Sequence, residues 1–300
     1  MHRSFILILL LSLFVTAACA QHEPDFRDVS YAADSLTGHR LDIYLPETGE
    51  APYPVVVIIA GSAFFGNDTK AWAYRTMGAA LREAGYAVVA INHRSSREAI
   101  FPAQIHDVRA AIRFIRANAG KYGLDATRIA ITGDSSGGHL ASMAGLAGGV
   151  DAYTVGSHTL ALEGDVGGNA GVDSRVAAVV AWYPPTRFLV MNSCGSGMDH
   201  DAADSPASIL IGGPIQENPD LSALADPITY VDPSDPPFLL FHGDADPVVP
   251  HCQSELLYAA LQDAGVESRL VIVPGGGHGQ GMWTPENVAQ MVQFFDTHLR

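Results

Sequence analysis

The pentapeptide Gly133-Asp134-Ser135-Ser136-Gly137 is a G-x-S-x-G sequence between a predicted strand and a predicted helix. The strand is predicted over 128–132, where β-branched residues dominate, and the helix over 139–144. A serine at such a turn adopts a tight backbone conformation, and the flanking glycines relieve the crowding. The turn therefore predicts an exposed Ser135 nucleophile, with the Ser136 amide at the helix N-terminus ready to donate to an oxyanion.

A serine nucleophile needs a base, and the base needs an acid that orients it. Asp246 follows a predicted strand over 238–241, and His278 follows a strand that ends at Val273. The chain order Ser, Asp, His is the one found in α/β-hydrolases. Without these partners the pentapeptide would fit a glycine-serine loop of no chemical consequence equally well. With them, Ser135, Asp246 and His278 are predicted to form a catalytic triad.

The rest of the chain alternates between predicted strands and helices. Residues 29–45 predict an antiparallel hairpin, and the unbroken apolar run 54–59 is typical of a strand that is covered on both faces. Residues 107–118 carry an apolar stripe at helical spacing. This alternation predicts a mostly parallel central sheet with helices on both faces. Two stretches without a clear period, 146–174 and 190–232, are predicted to be insertions that form lids or pocket walls.

Longer phrases around these residues resemble a known family. The phrases are Gly133-Asp134-Ser135-Ser136-Gly137-Gly138-His139-Leu140, His242-Gly243-Asp244-Ala245-Asp246-Pro247-Val248-Val249-Pro250, Gly276-Gly277-His278-Gly279, Phe101-Pro102-Ala103-Gln104-Ile105-His106-Asp107-Val108, Gly212-Gly213-Pro214-Ile215 and Asp235-Pro236-Pro237-Phe238. They resemble α/β-hydrolase esterases of the feruloyl/acetyl-xylan esterase-like (hormone-sensitive-lipase-like) group. The resemblance covers roughly residues 28–298 and implies an α/β-hydrolase fold.

The resemblance also assigns roles to residues. It implies that Asp246, which precedes a Pro-Val-Val-Pro turn, is the triad acid, and that Asp244 is a turn residue that caps backbone amides. It further suggests that Arg94 pairs with Asp107. His242, at a strand end beside the acid loop, is expected to be structural rather than catalytic.

The predicted oxyanion segment departs from the family pattern. Where such esterases carry His-Gly-Gly-Gly, this chain has Ala60-Gly61-Ser62-Ala63-Phe64. Backbone amides supply an oxyanion hole, so the side chains can change, although residues with a Cβ resist the positive φ that glycine accepts. The nearest match assigns the donors to Ser62 and Ala63, together with Ser136.

Aromatic residues cluster in or beside loops that should line the site. Phe64, Phe65, Trp182, Tyr183 and Trp283 are the candidates for substrate binding. Aromatic lining suits an aryl or acyl group. The alternative is that each of these side chains packs in the core.

The formal net charge of −15, with no basic block, argues against nucleic acid as a partner. A positive end and the apolar run 5–15 precede Ala18-Cys19-Ala20, which together predict a signal peptide over residues 1–20. The apolar run is shorter than the roughly 20 residues of a membrane span. The protein is therefore predicted to be secreted or periplasmic, with a single domain over 21–300. A lipid anchor at Cys19 is the weaker alternative.

Two cysteines, Cys194 and Cys252, remain after such a cleavage, and an oxidising compartment would let them form a disulfide. The chain has no metal-ligand spacing, no dinucleotide-binding motif and no P-loop, so neither a metal nor a cofactor is expected.

The leading hypothesis is a serine carboxylesterase that hydrolyses small acyl or aryl esters, with acetyl and feruloyl esters as candidates. The substrate would be a small molecule or a polysaccharide-linked ester. One alternative is an amide hydrolase, aminopeptidase-like or arylformamidase-like, that uses the same triad. The other is an α/β-hydrolase fold reused as a binding module. The acyl group, the alcohol and the oligomeric state stay open.

Overall fold

The computed structural model describes residues 23–300; the predicted signal peptide over 1–20 and Cys19 lie outside them. The strands are β1 (Phe26–Ser30), β2 (Arg40–Tyr44), β3 (Tyr53–Ile59), β4 (Ala87–Ile91), β5 (Leu124–Asp134), β6 (Ala152–Val155), β7 (His158–Ala161), β8 (Val179–Trp182), β9 (Phe238–Gly243) and β10 (Ser268–Val273). The α-helices are α1 (Lys70–Ala73), α2 (Ala79–Glu83), α3 (Ala103–Ala117), α4 (Ala119–Tyr122), α5 (Ser136–Leu146), α6 (Pro206–Ile211), α7 (Pro219–Ala225), α8 (Cys252–Asp263) and α9 (Pro285–Leu299). A π-helical turn, Tyr74–Gly78, joins α1 to α2.

The central sheet within the described residues has eight strands in the order β1-β2-β4-β3-β5-β8-β9-β10. β1 pairs antiparallel with β2, and β2 with β4, whereas the pairs from β4 to β10 are parallel. This arrangement confirms the predicted α/β-hydrolase fold, including its antiparallel N-terminal hairpin.

Helices cover both faces of the sheet, and β3 shows why its residues are all apolar. Val55, Val57 and Ile59 point into one core cluster, which also contains residues of α3, α5 and α8. Val56 and Ile58 point into the other cluster, which contains residues of α2 and α9. Because successive side chains of a strand alternate between faces, a strand between two helical layers must be apolar at every position.

The helix predicted over 107–118 begins earlier than expected, at Ala103. Its first turn lies outside the prediction because Gln104, a polar residue, interrupts the apolar stripe. Gln104 is buried and donates a hydrogen bond to the Ala99 carbonyl at 2.6 Å. A pattern of apolar residues does not identify a buried polar residue whose hydrogen bond is satisfied inside the protein.

Both predicted insertions contain regular structure. The first, 146–174, forms the β6–β7 hairpin, and the second, 190–232, contains α6 and α7. Arg109 and Arg113 of α3 are buried and share Glu163, which ties the first insertion to the main body. No helix within residues 23–300 is both long and apolar enough to cross a membrane.

Candidate active site

The structure brings Ser135, His278 and Asp246 together at the carboxyl ends of parallel strands. Ser135 Oγ lies 2.9 Å from His278 Nε2, and His278 Nδ1 lies 2.8 Å from Asp246 Oδ2. Ser135 follows β5, whereas Asp246 and His278 lie in the loops after β9 and β10. Parallel strands end at one edge of a sheet, so residues distant in the chain meet there.

The turn that carries Ser135 depends on close backbone approach. Ser135 itself has φ 53° and ψ −123°, a conformation that side chains with a Cβ rarely adopt. A Cβ on Gly133 would lie 2.3 Å from the Gly137 carbonyl oxygen, and a Cβ on Gly137 would lie 2.2 Å from the Ile59 carbonyl oxygen. Only glycine fits these two positions, which explains the spacing of the G-x-S-x-G sequence.

The two aspartates of the acid loop have different environments. Asp246 is buried, and its Oδ1 accepts the Val248 and Val249 amides at 2.8 and 3.0 Å. Burial alone would raise the pKa of Asp246, but His278, His242 at 3.6 Å and the amides hold it well below its usual range. Asp246 is therefore an ionised carboxylate that can orient His278.

Asp244 is exposed and accepts the Gly275 amide at 2.6 Å, which joins the acid loop to the loop of His278. His242 is fully buried and bonds Ser254 Oγ and the Val249 carbonyl, with no contact to Ser135. These positions agree with a turn role for Asp244 and a structural role for His242.

The segment after β3, residues 60–64, faces Ser135, and the residues on either side of Ser135 hold it by hydrogen bonds. The Gly61 amide donates to Asp134 Oδ1 at 2.8 Å, and the Ser62 amide donates to Ser136 Oγ at 2.8 Å. The Ser62 amide, predicted from the sequence to be an oxyanion donor, therefore already donates its hydrogen bond to Ser136. The Ala63 amide has no hydrogen-bond partner within residues 23–300.

The next two residues have an unusual backbone. Ala63 and Phe64 have φ values of 53° and 65°, in the left-handed region that glycine adopts without strain. Ala63 and Phe64 thus keep a backbone conformation typical of glycine although both carry a Cβ. On the helix side, Ser136 begins α5, and the first amides of a helix lack intrahelical partners.

Tyr183 links the turn that carries Ser135 to the loop that carries His278. Its hydroxyl donates to Asp134 Oδ2 at 3.2 Å, and its ring lies edge-on to the His278 ring with centroids 4.8 Å apart. Tyr183 has φ 39°, another strained conformation. Burial raises the pKa of Asp134, and the bonds from Gly61 and Tyr183 offset part of that effect.

A cavity of about 770 Å³ opens in front of Ser135. One wall comes from the second insertion and carries Met191, Met198 and His200. Trp72 on α1 and Arg75 on the π-helical turn, both exposed, also line the rim of the cavity. The sequence predicted a lid or pocket wall from the insertion 190–232 but singled out none of these five residues, because neither segment carries a motif.

Some of the aromatic residues predicted to bind substrate line the cavity, and others do not. Phe64 and Trp283 line the cavity, as does Tyr183. Trp182 does not: it is fully buried and stacks on Phe241 with centroids 4.1 Å apart, because it is the last residue of β8 and faces the second core cluster. Phe65 does not line the cavity either.

Phe65 follows the two left-handed residues, and its ring packs under the Arg97 guanidinium at 4.3 Å. The backbone reversal at Ala63 and Phe64 explains why adjacent phenylalanines have different surroundings.

The insertion wall is fastened beside the acid loop. The structure joins Cys194 to Cys252, the first residue of α8, as a disulfide. The Gly197 amide donates to the Pro247 carbonyl, and His200 Nε2 lies 2.8 Å from the Val248 carbonyl. The wall and the turn that carries Asp246 are thus one connected unit. The described residues contain no cluster of three or more His, Cys, Asp or Glu arranged to hold a metal.

Comparisons with known proteins agree with this geometry. The chain is 33% identical over 212 residues to Esterase LipQ of Mycobacterium tuberculosis, covering 71% of this chain and 46% of LipQ. It is 31% identical over 227 residues to the Probable carboxylic ester hydrolase LipM of the same organism, covering 74% of this chain and 48% of LipM. The chain thus spans about half the length of these curated relatives.

Two solved structures are more similar. A truncated carbohydrate esterase from gut microbiota has a TM-score of 0.88 and 46% identity, covering 91% of this chain and 95% of the other. A bifunctional GH43-CE protein of Bacteroides eggerthii has a TM-score of 0.87 and 50% identity, covering 92% of this chain and 38% of the other. The BD-FAE family model matches residues 41–261, well over half of the sequence. This chain belongs to the BD-FAE family.

Proposed function

We propose that this chain is a serine carboxylesterase that works through an acyl-enzyme. The observation that carries the proposal is the hydrogen-bonded series from Ser135 Oγ through His278 to Asp246, with both distances below 3.0 Å, at the floor of an open cavity. The esterase names of LipQ and LipM and the carbohydrate esterase neighbour support the ester-hydrolase class.

In the proposed mechanism Ser135 Oγ attacks the ester carbonyl while His278 Nε2 takes its proton. Asp246 holds the His278 ring and stabilises the imidazolium that forms. The oxyanion of the tetrahedral intermediate accepts hydrogen bonds from the amides of Ala63 and Ser136. His278 then gives the proton to the departing alcohol, and a water molecule repeats the sequence to release the acid and free Ser135.

We infer that the side chains of Asp134 and Ser136 shape the oxyanion hole without touching the substrate oxygen. Each uses its side chain to hold one amide of the segment that faces Ser135. These bonds fix Gly61 and Ser62 and leave the Ala63 amide free to donate. Fixed donors cost no reorganisation during the reaction, which is the source of their catalytic effect.

Esters of carbohydrates are the substrate class we propose. The support is the similarity to the carbohydrate esterase and to the GH43-CE protein, both above 45% identity. The acyl group would be small or aromatic and would contact the methionine-bearing wall of the cavity.

The test is hydrolysis of p-nitrophenyl acetate beside a peptide p-nitroanilide, by the native chain and by Ser135→Ala. The proposal expects turnover of the ester, little turnover of the anilide, and a loss of more than 10³-fold in Ser135→Ala. Faster cleavage of the anilide would favour the amide hydrolase instead. Ester turnover by Ser135→Ala at the native rate would exclude Ser135 as the nucleophile.

We also propose export to an oxidising compartment. The joined cysteines Cys194 and Cys252 support it, since disulfides persist in such compartments. Mass spectrometry of the mature N-terminus tests the proposal. A free terminus at Gln21 is expected, and a lipidated Cys19 would replace secretion by anchoring.

A further inference from the structure

The rim of the cavity carries a tryptophan that the esterase mechanism does not use. Trp72 is 55% exposed although it lines the same cavity as Ser135. It lies on α1, after the segment that supplies the Ala63 amide. An exposed indole that lines the same cavity as Ser135 presents an aromatic surface to a bound molecule.

Arg75 lies three residues further along, on the π-helical turn. Its guanidinium lies over one face of the Trp72 ring, with the guanidinium carbon 5.8 Å from the ring centroid, which leaves the other face for a ligand. Arg75 is exposed at the same rim. Within residues 23–300 no carboxylate forms an ion pair with Arg75. Its five N–H donors are therefore available to a bound molecule.

We propose that Trp72 and Arg75 form a subsite for the sugar ring of a carbohydrate ester, a proposal that rests on the esterase function above. The face of an indole ring is electron-rich and attracts the partly positive C–H groups on the face of a pyranose. The edge of a pyranose carries hydroxyl oxygens, which accept hydrogen bonds from a guanidinium. An aromatic face beside a fork of donors matches both features of one sugar ring.

The wall formed by the second insertion differs in chemistry from the rim that carries Trp72 and Arg75. Met191 and Met198 present thioethers, which suit an apolar acyl group of varied shape. The cavity volume of about 770 Å³ leaves room for both parts of the substrate. The sugar would therefore lie against Trp72 while the ester carbonyl reaches Ser135.

The experiment compares two acetyl esters that differ only in the alcohol. We measure kcat/KM for an acetylated xylo-oligosaccharide and for p-nitrophenyl acetate with the native chain, Trp72→Ala, Trp72→Phe and Arg75→Ala. The ratio of sugar ester to aryl ester is expected to fall roughly tenfold in Trp72→Ala and about threefold in Arg75→Ala. Trp72→Phe, which keeps an aromatic face, should recover most of the ratio.

Tyr153→Ala is the matched control, because Tyr153 is another exposed aromatic residue but lies on β6 and does not line the cavity. It should leave the ratio at the native value. An unchanged ratio in Trp72→Ala would overturn the subsite. So would hydrolysis of p-nitrophenyl acetate without any hydrolysis of the sugar ester, a result that leaves the esterase proposal standing.

If neither ester is hydrolysed, the proposed function fails, and binding decides the subsite separately. Titration calorimetry would then compare Ser135→Ala with the double variant Ser135→Ala/Trp72→Ala, using the same acetylated xylo-oligosaccharide. A Kd about tenfold weaker in the double variant supports the subsite. Equal Kd values, or no binding to Ser135→Ala, overturn it.

Discussion

The Ser136 hydroxyl accepts a hydrogen bond from the Ser62 amide at 2.8 Å, so the residue after Ser135 holds the segment that faces Ser135. Asp134, the residue before Ser135, holds the Gly61 amide in the same way. The segment needs this support because the next residue, Ala63, has a left-handed backbone that costs about 1–3 kcal/mol for a residue with a Cβ. The two side chains that flank Ser135 thereby hold the segment that contains this strained residue.

Removing the Ser136 hydroxyl should weaken catalysis more than substrate binding. We expect Ser136→Ala to lower kcat on p-nitrophenyl acetate about tenfold, equivalent to ~1.4 kcal/mol, with a smaller change in KM. The loss is smaller than the 10²–10³ of a deleted oxyanion donor because the donors remain and only their support is lost. Steady-state kinetics measures both constants.

Ser142→Ala is the control for that variant, since its hydroxyl bonds to the Gly138 carbonyl inside α5 and lies away from the segment. If both serine variants show the same kcat, the Ser136 bond has no part in shaping the hole.

Substitution of Asp246 should lower activity far more than substitution of Asp244, although both lie in the loop after β9. We expect Asp246→Asn to lower kcat by about 10⁴, because an amide neither fixes the required His278 tautomer nor stabilises the imidazolium. Asp244→Asn should cost less than about threefold, since an amide oxygen can still accept the Gly275 hydrogen bond. Comparison of the purified variants on one ester suffices, and a larger loss in Asp244→Asn would reverse the assignment.

The fold was predictable because strands and helices alternate along the chain, and Ser135, Asp246 and His278 stood out because each lies just after a predicted strand. Ser135 sits in a pentapeptide whose glycines are required by contacts of 2.2–2.3 Å, and His278 lies in a glycine-rich loop after a strand. Trp182 was predicted to bind substrate because it lies beside a loop that should line the site, yet it is the last residue of β8 and is buried against Phe241. The next residue, Tyr183, lines the cavity, and a sequence pattern does not locate the end of a strand closely enough to separate two neighbours.

The hydrogen bond between Ser62 and Ser136 was not predictable either. It joins residues 74 positions apart, and a serine in either place has many possible partners. The methionine-bearing wall shares this limit, because it comes from an insertion whose position depends on long-range contacts such as the bond between Gly197 and Pro247.

The disulfide should stabilise the cavity wall. Cys194 and Cys252 are 58 residues apart, and a cross-link over such a loop contributes about 2–4 kcal/mol. We expect Cys194→Ser/Cys252→Ser to have a lower Tm than the native chain in calorimetry. Reductant should lower the native Tm to a similar value and leave the variant unaffected. A native Tm that resists reductant, with two free thiols titrated, would contradict this role.

Asp226 should make stability depend on pH. Its Oδ1 accepts the Phe188 amide at 2.9 Å, and burial raises its pKa to about 8. Because the folded pKa lies above the unfolded value near 3.8, protonated Asp226 favours the fold. Stability is therefore fully present at low pH and is lost as the pH rises towards 8, by up to about 1.4 kcal/mol per pH unit.

Asp226→Asn should remove that dependence while keeping an oxygen for the Phe188 amide. Thermal unfolding at pH 5 and pH 8 measures it: the native Tm should fall more between these values than the Tm of Asp226→Asn. Parallel changes in the two proteins would show that Asp226 does not titrate in this range.

Covalent labelling of the native chain by a fluorophosphonate tests whether Ser135 is an activated nucleophile, because only an activated serine reacts. Intact mass and peptide mapping locate the adduct. We expect one adduct per chain on Ser135, a much slower reaction in His278→Ala, and no adduct in Ser135→Ala. An adduct that persists in Ser135→Ala, or a folded native chain that does not react, would contradict it.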